Sequence, residues 1–219
     1  YAYHIGEVMN KYFQEINQLP QSNTLTKMRT IALNQKVPII NDEGLVFLLF
    51  LVKTKKVRRI LEIGTAIGFS AINMAMMNQE ITVETMERDE SLVQQALENI
   101  KEAGLTSQIT VIHTDALTFD LKNLRKDYDL IFIDAAKAQY QKFFTKYAPT
   151  LAKNGIIVTD NLLFHGLVNN EKGNVSKNVR NLVNKIESYN QWLANHPDFD
   201  TSFFDLGDGM AVSLRRNEL

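Results

Sequence analysis

The stretch Ile60-Leu61-Glu62-Ile63-Gly64-Thr65-Ala66-Ile67-Gly68-Phe69-Ser70 decides the fold. An apolar run enters it, two glycines punctuate it and a helix-like segment leaves it, so it reads as a strand turning into a helix. The glycines let the backbone turn tightly and approach a ligand at the strand's C-terminal edge. A Gly-x-Gly-x-x-Gly fingerprint, which brings a pyrophosphate onto a helix N-terminus, would need a third glycine, and only Gly64 and Gly68 are present. Glu62 points the same way, because a carboxylate at that turn repels a pyrophosphate and attracts a cationic ligand.

Outward from this turn, short apolar runs alternate with helical stretches. Val57–Ile63, Ile81–Met86, Ile109–His113, Leu130–Ile133 and Ile156–Thr159 are each followed by a turn or a helix-like segment. That rhythm predicts βαβ units and a parallel sheet. Upstream, from about Val8 to Val52, Met9, Tyr12, Phe13 and Ile16 recur at helical spacing with no strand alternation. Downstream, a helix is expected over Lys177–Asn195, then two β-like runs, Thr201–Leu206 and Met210–Leu214, divided by Gly207-Asp208-Gly209, which predicts a closing hairpin. The expected fold is α/β, doubly wound and Rossmann-like: a mostly parallel seven-stranded sheet ending in an antiparallel hairpin, preceded by helices. One domain should span 1–219, with 1–54 as a helical preamble and 55–219 as the core.

Composition agrees with one compact domain: 219 residues, 45% hydrophobic. There is no cysteine, so disulfides and thiolate metal sites are excluded and cytoplasmic residence is the expectation. Leu45–Val52, the longest strongly apolar stretch, is too short to span a bilayer, so a soluble protein without membrane attachment is expected. The chain opens on Tyr1, and Met9 is a candidate natural start. A formal net charge of −1 argues against a globally basic nucleic-acid binder and leaves room for a local basic face.

The glycine turn and Glu62 suit S-adenosylmethionine, whose sulfonium and ammonium groups are positive. Glu87 ends the second strand, where an acid in such folds accepts both ribose hydroxyls, and Asp115-Ala116 after the third would border adenine. Asp134 follows the fourth strand, and Asp160-Asn161 follow the fifth. Three oxygen ligands on adjacent strand ends suit a hard divalent cation, Mg²⁺ first, with Ca²⁺ or Mn²⁺ as alternatives; plain helix capping by the two aspartates is the competing reading.

Asp134-Ala-Ala-Lys137-Ala-Gln-Tyr140 and Asp160-Asn161, taken with the 60–70 stretch, resemble the signature set of the metal-dependent catechol and caffeoyl-CoA O-methyltransferase family. The resemblance runs nearly end to end, and the terminal hairpin is the usual tail of methyltransferase folds. It implies Asp134, Asp160 and Asn161 as metal ligands and Lys137 as the base. It also implies that Val37, Glu62, Gly64, Ser70, Glu87, Asp115, Ala116 and Asp134 line the donor site, with Val37 in the entrance segment 37–44. The implied reaction is methyl transfer to a hydroxyl acidified by the cation and deprotonated by Lys137.

Two vicinal oxygens make a fitting acceptor, as in a catechol or in 5-hydroxyuridine. The segments Thr159–Val168 and Tyr189–Asp198, with the Gly207-Asp208-Gly209 turn, resemble the family's tRNA 5-hydroxyuridine branch. The expectation is therefore methylation of wobble 5-hydroxyuridine to 5-methoxyuridine in a tRNA anticodon loop, with a small catechol or caffeoyl-CoA-like phenol as the alternative. Lys172, Lys177 and Arg180 would contact RNA phosphates, and Phe164 and His165 would stack on a base or, for Phe164, pack in the core. The cluster Lys53, Lys55, Lys56, Arg58 and Arg59 reads as a solvated turn at a helix C-terminus. Trp192 reads as core or subunit interface, and a homodimer is expected. A nicotinamide oxidoreductase is disfavoured by the missing glycine, by Glu62 and by the hairpin, and a non-catalytic module would leave Asp134, Lys137, Asp160 and Asn161 unexplained.

Overall fold

A computed structural model describes residues 11–168 and 175–216. Three helices come first: α1 (Lys11–Ile16), α2 (Asn23–Gln35) and α3 (Asp42–Thr54). Both longer ones start on a side-chain cap. Ser22 accepts the Leu25 N–H, and Asn41 accepts the Gly44 N–H at 2.8 Å, each satisfying an otherwise unpaired helix donor. The apolar stretch 45–52 lies in α3, which buries Leu45, Leu48, Leu49 and Val52 at three-to-four spacing. Tyr12, Phe13 and Ile16 of α1 are exposed, so their helical spacing does not mark a covered face; Val8 and Met9 lie outside the described residues.

Then follow β1 (Arg59–Ile63), α4 (Phe69–Ala75), β2 (Thr82–Glu87), α5 (Glu90–Glu102), β3 (Ile109–His113), β4 (Tyr128–Ile133), α6 (Tyr140–Tyr147) and β5 (Leu151–Thr159). The chain closes with α7 (Lys177–Ala194) and the hairpin β6 (Phe199–Phe204) and β7 (Met210–Arg215). The sheet order is β3-β2-β1-β4-β5-β7-β6, with β1 to β5 parallel and β7 antiparallel to both neighbours. This is the doubly wound methyltransferase architecture that the sequence predicts. β5 begins earlier than its apolar run suggests, at Leu151, because Lys153 and Asn154 are exposed, Asn154 has a φ of 62° and the pairing with β4 shifts register there.

Strand alternation divides the core. Ile60, Leu130 and Phe132 pack in one layer with α3 and α4, while Leu61, Ile63 and Ile131 pack in the other with α6 and α7. Register then positions the site. Ile63 pairs with Met86 on one side and Ile133 on the other, and Ile133 pairs with Thr159. The next residues, Gly64, Glu87, Asp134 and Asp160, therefore lie in a row along one sheet edge. Strand order reverses between β1 and β4, and the crevice at such a reversal is where ligands bind in open α/β sheets.

Candidate active site

A cavity of about 550 Å³ opens at that edge. Its walls include Gly64, Ser70, Glu87, Asp115, Ala116, Asp134, Lys137 and Asn161, so most residues singled out in the sequence share one space. Of the donor and metal candidates, three stand off it. Glu62 lies beneath the floor, Asp160 is buried behind Asn161, and Val37 packs against the core while its neighbours Pro38, Ile39 and Ile40 line the cavity.

The floor is built by close approach. Gly64 has a φ of 105°, and a Cβ there would collide with the Asp134 carbonyl, so the β1 and β4 turns can press together only at glycine. The Asp134 N–H donates to the Ile63 carbonyl at 3.0 Å and locks that contact. Alternation along β1 turns Glu62 toward α4, where the Ser70 hydroxyl donates to Oε1 and the Thr85 hydroxyl to Oε2, both at 2.5 Å. Burial pushes the Glu62 acid up to about 7, against those two hydrogen bonds, with Asp134 and Glu87 adding repulsion. Thr65 bonds the Thr85 hydroxyl at 2.6 Å, so the carboxylate is held through two layers. Thr85 was not singled out in the sequence; its alternation with Met86 in β2, on the face shared with Glu62, was the available signal.

Beside this floor Glu87 accepts the N–H groups of Arg88 and Asp89 on Oε1 and of Ala66 on Oε2 at 3.0 Å, which fixes the carboxylate at the mouth of the turn. The Asp115–Leu117 loop is held from below: the Tyr147 hydroxyl donates to the Ala116 carbonyl at 2.6 Å and Lys146 Nζ to the Leu117 carbonyl at 2.7 Å. Neither α6 residue carries a sequence motif, and only the packing of α6 against the β3–β4 connection reveals them.

Two carboxylates occupy the other end of the row. Asp160 is only 2% exposed, and burial together with the Asp134 charge raises it to about 8. Asp134 is also raised, by burial first, with the Lys137 ammonium opposing. The Asn161 amide lies 3.3 Å from Asp134 Oδ1, and Tyr140 donates to the Asp160 carbonyl at 2.9 Å, pinning the end of β5 to α6. Like charges gathered in a low-dielectric corner favour a bound cation. Among the described residues no group of three or more His, Cys, Asp or Glu gathers as a site, so Asn161 has to complete the set. Half a turn of its amide presents oxygen in place of nitrogen. Two carboxylates and an amide form an all-oxygen set that fits a hard divalent cation. Among the described residues both aspartates lack the side-chain capping role weighed for them: Asp134 caps no helix, and Asp160 Oδ1 accepts the adjacent Asn161 N–H.

Lys177 and Arg180 are exposed in the first turn of α7, and Lys172 lies outside the described residues. Phe164 is half-buried against the α6–α7 core layer, and His165 is exposed. Trp192 is half-buried at the margin of the same layer, packed edge-on to Phe144 at 5.4 Å. The first basic cluster sits at the opposite sheet edge, where Arg58 pairs with Glu80 at 2.9 Å. No helix among the described residues is long and apolar enough to cross a membrane.

Comparison with known proteins gives consistent matches. The O-methyltransferase family model matches residues 13–216. A Staphylococcus aureus protein named as a candidate caffeoyl-CoA O-methyltransferase has a crystal structure that superposes with a TM-score of 0.88 at 39% identity, covering 94% of this chain and 98% of that one. A Bacillus cereus O-methyltransferase, solved in complex with S-adenosylhomocysteine, superposes with a TM-score of 0.79 at 25% identity, over 94% and 96% of the two chains. The caffeoyl-CoA O-methyltransferase of Populus kitakamiensis is 27% identical over 224 residues, 96% of this chain and 94% of its own.

Proposed function

The chain belongs to the O-methyltransferase family, and from that premise we propose that it transfers a methyl group from S-adenosylmethionine to a hydroxyl with a second oxygen beside it, on a small phenolic acceptor of the caffeoyl-CoA type. One observation carries this reading: Asp134, Asn161 and Lys137 line the same cavity as the Gly64 turn and Glu87, so donor and acceptor chemistry share one space.

The methyl donor supplies an electrophilic carbon on a sulfonium. Its positive charge matches the buried Glu62 carboxylate and the ring of backbone turns above it. Glu87 would accept the ribose hydroxyls. The Gln139 side-chain oxygen, buried in the wall without a hydrogen bond, is an available acceptor for the exocyclic amine of adenine. These residues fit the donor.

A divalent cation held by Asp134, Asp160 and Asn161 would lower the pKa of the acceptor hydroxyl and use both of its oxygens for orientation. Lys137, in the same wall, would take the hydroxyl proton. The sulfonium donor would supply the methyl carbon: an oxygen–carbon bond would form as the carbon–sulfur bond breaks, the donor would leave as a neutral thioether, and Lys137 would keep the proton.

The wobble 5-hydroxyuridine anticipated from the sequence offers the same paired oxygens. Two of the three relatives described above are named for caffeoyl-CoA, which favours the small phenol. The deciding experiment is transfer of labelled methyl to caffeoyl-CoA, to a simple catechol and to tRNA bearing 5-hydroxyuridine, each with Mg²⁺ or excess chelator. Metal-dependent labelling of a phenol supports the proposal, whereas labelling of tRNA alone would replace the acceptor and restore Lys172, Lys177 and Arg180 as the rim to test. Labelling that persists in chelator would overturn the role of the cation.

A further inference from the structure

The turn between β6 and β7, Gly207-Asp208-Gly209, does more than reverse the chain. The Asp208 carbonyl accepts the Leu163 N–H at 2.8 Å, and the Gly209 carbonyl accepts the Leu162 N–H at 2.9 Å. Asp208 Oδ1 accepts the His165 N–H at 2.5 Å. Three donors of the loop after β5 thus end on one turn, and that loop begins with Asp160 and Asn161.

The loop needs holding. Asn161, Phe164 and His165 have φ of 64°, 47° and 56°, a left-handed path that residues with side chains adopt only against steric resistance. The approach is tight: a Cβ on Gly209, whose own φ is 82°, would lie 2.6 Å from Leu163 Cγ and 3.0 Å from its backbone nitrogen. On its other side the turn reaches α3, where the Gly207 N–H donates to Glu43 Oε2 at 2.9 Å. Glu43 lies just beyond Pro38–Ile40, which line the cavity. One turn therefore ties the acceptor loop to the entrance segment.

The Asp208 side chain is 13% exposed, and Oδ2 is buried without a hydrogen bond, 3.8 Å from the exposed His165 ring nitrogen. We propose that Asp208 is a positioning residue for the acceptor half of the site: by holding the His165 amide, it keeps 161–166 in the path that brings Asn161 to Asp134 and Asp160. The link to the cation rests on the reading of that trio given above.

The test compares Asp208→Ala with Asp208→Asn in the full chain. Hydrogen exchange of the 161–168 peptide, Mn²⁺ affinity by electron paramagnetic resonance and S-adenosylhomocysteine affinity by calorimetry are measured on both. Asparagine keeps an acceptor oxygen for the His165 amide. The alanine variant should speed exchange in the loop and weaken Mn²⁺ by roughly tenfold or more, as loss of a group supporting a metal ligand does. S-adenosylhomocysteine affinity should stay within about threefold, since that half of the cavity rests on other elements. Asparagine should restore both exchange protection and Mn²⁺ affinity. Unchanged exchange in the alanine variant, or equal losses in both variants, overturns the proposal. No Mn²⁺ binding by the unsubstituted protein would defeat the cation reading alone, and the exchange comparison would still decide for or against Asp208. If the alanine variant does not fold, Asp208→Ser, whose hydroxyl ends one atom short, takes its place.

Discussion

Glu62 is a buried acid whose neighbours are hydroxyls and other acids. In the donor-free protein its raised pKa means that the neutral form is the stable one below about pH 7. Its contribution to stability is in place below the ordinary value of 4.5 and is lost as the pH climbs through about 7. Donor affinity should have the opposite sign, because a sulfonium prefers the carboxylate: S-adenosylmethionine should bind up to about tenfold tighter per pH unit between 5 and 7, then level off. Calorimetry across that range checks it, and Glu62→Gln should flatten the profile. A profile that keeps its slope in the glutamine variant would remove Glu62 from the donor site. At the other end of the row, Asp134→Ala should lower Mg²⁺-dependent methyl transfer by at least about a hundredfold, the upper range for groups that only support a metal ligand, with donor binding largely kept. Labelled-methyl assays beside S-adenosylhomocysteine titration separate the two effects, and retained metal-dependent turnover would refute the ligand assignment. At this scale the sequence showed the chemistry-bearing side chains, because carboxylates directly after apolar strands stand out by type. It hid Thr85 and Tyr147, because a hydroxyl inside an ordinary strand or helix differs from a structural one only by what it touches.

At the scale of elements, the site depends on turns forced together. Gly64→Ala would drive a methyl group into the Asp134 backbone, at a residue whose φ of 105° already disfavours a side chain. It should lose both donor and Mn²⁺ binding, in contrast to Asp134→Ala, which should lose only the cation. Binding of each ligand measured separately distinguishes these outcomes, and a Gly64→Ala protein that binds both would show that the turn has slack. Helix α3 offers a milder case. Asn41→Ala removes the acceptor for the Gly44 N–H and should cost about 1 kcal/mol of stability, read by chemical denaturation, because an end-of-helix donor then has only water. The glycine turn, the hairpin and the long final helix were legible as local patterns. The start of β5 was not, since the exposed Lys153 and the left-handed Asn154 interrupt its apolar run.

Over the whole molecule, ligand binding and folding are linked. A donor analogue at a hundred times its dissociation constant should add about 2.7 kcal/mol. For a chain of this size that corresponds to a rise in melting temperature of roughly 5 to 10 °C, measurable by scanning fluorimetry with S-adenosylhomocysteine. A nicotinamide dinucleotide should give no shift, because Glu62 and the missing third glycine disfavour a pyrophosphate. A shift with the dinucleotide and none with the homocysteine analogue would contradict the donor assignment.

The order of strands and helices, the donor turn and the identities of Asp134, Lys137, Asp160 and Asn161 follow from the sequence by itself, because period, glycine placement and carboxylates at strand ends are local signals. Their assembly into one row was decided by sheet register, which pairs Ile63 with Met86 and with Ile133, and Ile133 with Thr159. The hold of the β6–β7 turn on the loop after β5 likewise needed the tertiary structure: Asp208 and His165 stand 43 positions apart, and only the antiparallel seating of β7 against β5 closes that distance.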